Sequence, residues 1–138
     1  RVVRAGRPLL GICLGMQLLA DASEEGVLPG LGVVPGRVER LPAMGPEGPL
    51  RIPHMGWSTV DVERPHRLLE PLGVDARYYF VHSYAFRCAD PGDVVATTTY
   101  GDPFTSVVAR GDVVGVQFHP EKSHRHGWAL LASFAGVS

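Results

Sequence analysis

Leu10-Gly11-Ile12-Cys13-Leu14-Gly15-Met16-Gln17 is the stretch on which the reading of this chain turns. Leu9, Leu10 and Ile12 form a short apolar lead-in, and Met16, Gln17, Leu18, Leu19 and Ala20 a helix-forming run-out. Strand, tight turn and helix in that order describe an elbow that presents the residue at its apex. The apex is Cys13, and the flanking Gly11 and Gly15 are small enough for the crowded, strained backbone such a turn demands. Ahead of a helix N-terminus the sulfur is expected to favour thiolate over thiol. A thiolate attacks carbonyl carbon, so Cys13 is a candidate nucleophile. A free cysteine in apolar surroundings is also commonly an inert core residue, and the local pattern alone leaves both readings open.

A nucleophile needs a base, and the far end of the chain offers one. Val113-Val114-Gly115-Val116-Gln117-Phe118 has the continuous apolar character of a buried strand and runs into His119-Pro120-Glu121. Pro120 cannot continue a ladder, so polar side chains gather at the carboxyl end of the strand, where ligands collect in open α/β sheets. His119 can take the Cys13 proton, and Glu121 can orient the imidazole and stabilise its cation. By itself a His-x-Glu reads more simply as a solvated strand end. Beside an elbow cysteine it reads as the rest of a triad.

Four blocks now match a family. The elbow, residues 11–17, and Gln117-Phe118-His119-Pro120-Glu121-Lys122-Ser123 resemble the class I, triad-type glutamine amidotransferases. Pro53-His54-Met55-Gly56-Trp57 and Tyr79-Phe80-Val81-His82-Ser83-Tyr84 narrow the resemblance to the glutaminase subunits of imidazole glycerol phosphate synthase, from histidine biosynthesis. The blocks occur in family order and span nearly the whole chain. One small departure is Ser58, where relatives often carry Asn after the tryptophan.

The resemblance implies a flavodoxin-like α/β domain: a mixed, mostly parallel sheet with helices on both faces and an antiparallel extension. It implies hydrolysis of glutamine by Cys13, His119 and Glu121, with no metal or organic cofactor. The Leu14 N–H, next to Gly15, would be one oxyanion donor. Gln17 is expected to contact the substrate glutamine, although it also fits a helix surface. His82, Ser83 and Tyr84 would wall the pocket that holds the substrate backbone, or simply form a hydrogen-bonded bend. His54, Met55 and Trp57, placed in a loop, together with Lys122, would face a partner: a (β/α)₈-barrel cyclase that receives the ammonia in a heterodimer. Residues 1–138 would then be the C-terminal portion of a single domain whose first strands, and a Pro-Gly-Val-Gly type loop with the second oxyanion donor, stand upstream. Without that loop the chain is expected to be poorly active. Two rivals share the motifs: another class I amidotransferase or γ-glutamyl hydrolase, and a non-catalytic docking module of the same fold.

Composition sets the outer bounds. The 138 residues carry 13 basic and 14 acidic side chains, which fits one domain with a real core and gives no support for nucleic-acid binding. No apolar stretch approaches the length of a membrane span. Two cysteines, one in a catalytic context, argue against a disulfide framework and for a reducing cytoplasm, with Cys88 structural. His119, His124 and His126 lack metal-ligand spacing.

Along the chain the pattern predicts an elbow helix over residues 14–23 and strands over 33–41, 50–53, 59–62, 77–81, 84–87, 94–100, 104–109 and 113–118. A Gly/Pro-rich loop is expected over 42–49, a short helix over 66–72, and turns at 101–103 and 111–112. A closing helix over 128–134 is expected to pack back through Trp128, Leu131 and Ala135. Helix, core strands and an antiparallel extension together indicate a mixed α/β sheet.

Overall fold

The computed structural model describes every residue except 72, 74, 137 and 138. In chain order the elements are β1 (Leu9–Ile12), α1 (Leu14–Gln17), β2 (Ala22–Ser23), β3 (Gly36–Arg40), β4 (Met44–Gly45), β5 (Gly48–Pro49), β6 (His54–Thr59), β7 (Asp61–Val62), β8 (Arg77–His82), β9 (Tyr84–Cys88), β10 (Val94–Tyr100), β11 (Asp102–Arg110), β12 (Val113–Val116) and α2 (His124–Ala135). The main sheet runs β1-β12-β11-β9-β3-β2, with β10 and then β7 attached through β11. β6 and β8 form a separate antiparallel pair, as do β4 and β5.

The mixed α/β architecture is as expected, with helices on both faces. Its balance differs. Among the described residues parallel pairing is confined to β1/β12 and β2/β3, and the remaining pairs are antiparallel. Chain connectivity explains the difference: Gly101 alone separates β10 from β11, and Gly111-Asp112 separate β11 from β12. Turns that short can only reverse the chain, whereas a parallel neighbour needs a long crossover.

β12 alternates between two apolar layers. Val113 joins Met16, Leu19, Val38, Phe86 and Val108 on the α1 face. Val114 and Val116 join Tyr78, Phe80, Phe118 and Leu130 on the α2 face. This two-sided burial explains the unbroken apolar run of residues 113–116.

Several local expectations are corrected. α1 is a single turn because the carbonyls of Leu18, Leu19 and Ala20 accept from Leu31, Val33 and Gly32 instead of continuing a helix. The Leu50–Pro53 region is not a strand, and within the 42–49 loop β4 and β5 pair as a small hairpin. Residues 54–59 are β6 rather than a loop, with six register pairs to β8 from His54↔His82 to Thr59↔Arg77. Residues 67–71 are turns, and the end of the expected 66–72 helix falls outside the described residues. In α2 the buried positions are Gly127 and Leu130, while Trp128 is 69% exposed. The helix therefore presents a different face from the one its largest apolar residue marked.

Candidate active site

Cys13 lies at φ 52°, ψ −108°, one of two non-glycine residues at positive φ among those described. Such backbone is costly for an L-residue and persists only where the surroundings enforce it. Here β1 and β12 do so, through the parallel register Ile12↔Val116 and the Cys13 N–H donated to Val116 O at 2.8 Å. Gly11 is required on the strand side, since a Cβ there would stand 2.7 Å from Gly15 O and 2.8 Å from Met16 N. Gly15 is not: a Cβ there would meet no protein atom within 4 Å. The space beside it is open.

The parallel register that sets Cys13 abreast of Gln117 carries His119 to the same sheet edge. His119 donates its backbone N–H to Tyr79 O at 2.9 Å, and Val81 O, two residues further along β8, accepts from the Cys13 thiol at 3.8 Å. β8 thus anchors both residues. His119 Nδ1 meets Glu121 Oε1 at 2.5 Å, in the 3₁₀ turn Pro120–Lys122. The carboxylate can only accept, so Nδ1 carries the proton and a neutral His119 presents Nε2 as a base. The sulfur itself hydrogen-bonds Val81 O and Gln117 Nε2 here rather than the imidazole. Sulfur, imidazole and carboxylate share one edge, with the carboxylate pair made and the thiol–imidazole contact unmade.

The expected thiolate preference does not hold in this state. Burial pushes the Cys13 thiol up, the Leu14 amide and the Gln117 side chain pull it down, and Glu121 and Glu25 push it up again. Desolvation outweighs a one-turn helix.

Other expected site residues land differently. The Gln17 side chain is buried, and its Nε2 donates to Tyr84 O and to Gln117 Oε1, both at 3.1 Å, so its N–H donors serve the protein interior instead of a pocket mouth. His82 turns away from the cysteine: Nδ1 meets Tyr84 O at 2.8 Å and Nε2 meets His54 Nδ1 at 3.0 Å. A carbonyl only accepts, so His82 is protonated on Nδ1. His54 must then donate from Nδ1 and accept at Nε2 from Ser58 Oγ, 3.3 Å away. The serine at position 58 thus supplies a hydroxyl donor where the ring needs one. Burial lowers both imidazoles to about 4. Ser83 joins β8 to β9 and its carbonyl accepts from Leu41 N at 2.9 Å.

β6 splits the expected partner-facing block. His54, 3% exposed, points inward, whereas Met55 and Trp57 stand exposed on the other face, Trp57 stacked on His124 at 5.4 Å. Leu14 and Lys122 are also exposed. Among the described residues no group of three His, Cys, Asp or Glu could hold a metal ion: His119 pairs with Glu121, His124 stacks, and His126 binds the Arg77 backbone. Cys88 is a free thiol pushed up to about 12 by burial and by Asp93 and Asp90. A surface cleft lined by Arg40, Leu41, Arg87 and Asp102 contains none of the three candidate catalytic residues. No described helix is long and apolar enough to cross a membrane. The residue that sequence reasoning missed is Gln117. Its signal was a polar side chain closing an otherwise apolar buried strand.

A cysteine on a forced turn and a His–Glu pair thus lie at the carboxyl end of neighbouring strands, both tied to β8. The family model for glutamine amidotransferase class-I matches residues 1–135, and the chain belongs to that family. Within it, the chain is 50% identical over 131 residues to the imidazole glycerol phosphate synthase subunit HisH of Bdellovibrio bacteriovorus, covering 94% of this chain and 64% of that protein. It is 51% identical over 135 residues to the HisH subunit of Rhodospirillum rubrum, covering 96% and 62%. The chain thus spans under two thirds of the length of these relatives. A crystal structure described as a glutamine amidotransferase superposes with TM-score 0.63 at 28% identity, over 99% of this chain and 65% of that one. The glutaminase domain of Trypanosoma brucei CTPS, with bound acivicin, shares the fold at TM-score 0.64 and 20% identity, over 99% and 63%.

Proposed function

We propose that this chain carries the glutaminase site of an imidazole glycerol phosphate synthase: Cys13 hydrolyses glutamine, and the ammonia passes to a (β/α)₈-barrel cyclase subunit. The observation that carries the reading is the forced backbone of Cys13 at the sheet edge that also holds the His119–Glu121 pair. The identities to HisH subunits support the synthase in particular.

The steps balance without a further reagent. His119 Nε2 takes the thiol proton as the sulfur attacks the carboxamide carbon, and the carbonyl oxygen becomes an oxyanion facing the Leu14 N–H. The imidazolium returns its proton to the amide nitrogen, the C–N bond breaks, and ammonia leaves a glutamyl thioester. His119 next deprotonates water, which attacks the thioester carbon; the C–S bond breaks, the imidazolium returns its proton to the sulfur, and glutamate and the thiol are released. Glu121 holds the imidazole tautomer throughout and offsets its charge when protonated. The open space beside Gly15 is room for the substrate at the nucleophile. Met55, Trp57 and Lys122, all exposed, are the residues proposed to meet the cyclase.

The test is Cys13→Ser in the complete enzyme complex. Glutamine-dependent synthesis is expected to vanish while synthesis from added ammonium salt persists. Glutamine remaining a nitrogen donor in that variant sinks the assignment.

A further inference from the structure

Gln117 is wholly buried between β12 and α1, yet it is bonded at both ends of its amide. Its Oε1 accepts from Gln17 Nε2 at 3.1 Å, and its Nε2 lies 3.7 Å from Cys13 Sγ. Its chain neighbours Val116 and Phe118 are apolar and fully buried, so the amide is the polar exception in this run. A buried amide is retained at a cost unless its groups are used.

The orientation of both amides follows from one carbonyl. Tyr84 O can only accept, so Gln17 must present Nε2 to it, and the same Nε2 reaches Gln117. Gln117 must therefore offer Oε1 to Gln17, which leaves its N–H donors aimed at the sulfur. Flipping Gln117 would set two NH₂ groups against each other and turn an oxygen lone pair towards Sγ. His82 Nδ1 fixes the far end by donating to the same Tyr84 carbonyl at 2.8 Å.

Resting on the reading of Cys13 as nucleophile, we infer that Gln117 is a further residue of the reaction, its side-chain N–H stabilising the Cys13 thiolate, and that Gln17 is the positioning residue that fixes this donor. The other groups acting on the thiol are Glu121 and Glu25, which disfavour the anion, and the Leu14 amide, which favours it. In a half-buried site, where carboxylates oppose ionisation, each donor to sulfur counts. His119 then accepts a proton from a thiol that a fixed dipole already prepares.

The test measures the pH profile of Cys13 alkylation by iodoacetamide in the full-length protein, followed by mass spectrometry with Cys88 as the unreactive internal reference. Gln117→Met keeps the volume and removes the donor. The midpoint for Cys13 is expected to rise by about one unit, and the alkylation rate at neutral pH to fall about tenfold, the effect of one hydrogen bond to a charged group. Gln17→Met frees Gln117 to rotate and should move the midpoint the same way by less. In glutamine hydrolysis the loss should appear in kcat with KM little changed. An unmoved midpoint in a folded Gln117→Met protein overturns the inference, as does failure of both variants to fold, which would assign the pair to the core alone. The two readings fail separately: a Cys13→Ser protein that still hydrolyses glutamine removes the nucleophile, whereas a dead Cys13→Ser with an unmoved midpoint removes only Gln117.

Discussion

The two glycines of the elbow look equivalent in sequence and are not equivalent in space. Adding a methyl group to each separates backbone crowding from substrate room. In Gly11→Ala the new Cβ would lie 2.7 Å from Gly15 O and 2.8 Å from both Gly15 C and Met16 N, where ordinary contact begins near 3.4 Å. All three are backbone atoms, so α1 must move by roughly 0.7 Å relative to β1, taking the residues after Cys13 with it. Overpacking of this kind costs about 1–3 kcal/mol. In Gly15→Ala the Cβ meets nothing within 4 Å, and alanine is the better helix former by up to about 1 kcal/mol. Urea unfolding of the two proteins should therefore place Gly11→Ala about 1–3 kcal/mol below the parent and Gly15→Ala level with it or slightly above. Glutamine turnover should fall in both. In Gly11→Ala it falls because the elbow shifts. In Gly15→Ala it falls because the methyl group occupies the open space beside Cys13, so KM should rise in a protein of normal stability. Gly15→Ala as unstable as Gly11→Ala would refute the argument, and Gly15→Ala of unchanged stability and activity would refute the use of that space by substrate.

Two further outcomes are expected. The buried His54–His82 pair, at about 4 when folded against 6.5 in an open chain, binds fewer protons folded than unfolded between those values, so stability rises with pH across that window and is lost as pH falls from about 6.5 towards 4. Each ring corresponds to about 3 kcal/mol at most, with coupling between them reducing the sum, and NMR titration of either ring with a midpoint near 6.5 would contradict the arrangement. Gly127→Ala would put a Cβ 1.7 Å from Pro120 O, displacing the turn that carries Glu121; thermal unfolding should report a loss at or above the top of the about 1–3 kcal/mol overpacking range, with activity lost alongside, and an unperturbed protein would count against the packing described.

How far the sequence could be read depended on how local each cause was. The Cys13 turn, the hairpin turn at Gly111-Asp112 and the apolar β12 are governed by neighbours a few residues away and stand where the pattern put them, whereas the turn expected over 101–103 tightens to Gly101, with Asp102 and Pro103 already paired in β11. β6 was missed because Gly56 and the preceding Pro53 disguise a strand whose alternation, His54, Gly56 and Ser58 inward with Met55 and Trp57 outward, becomes visible only against β8. The face of α2 was misjudged because Trp128 is the largest apolar residue there, whereas contact with Pro120 needs the smallest, Gly127.

The amino-acid sequence on its own determined the family and the elbow, and singled out a thiol, an imidazole and a carboxylate as candidates, because each is written in a short run whose chemistry is independent of the rest of the chain. Only the tertiary structure decided where Gln17, Gln117, His54 and His82 send their polar groups. A buried amide or imidazole takes its orientation from acceptors that cannot reverse, above all the Tyr84 carbonyl, which lies two positions from His82 but 67 from Gln17, while Gln117 reaches Gln17 across 100 positions and His54 reaches His82 across 28.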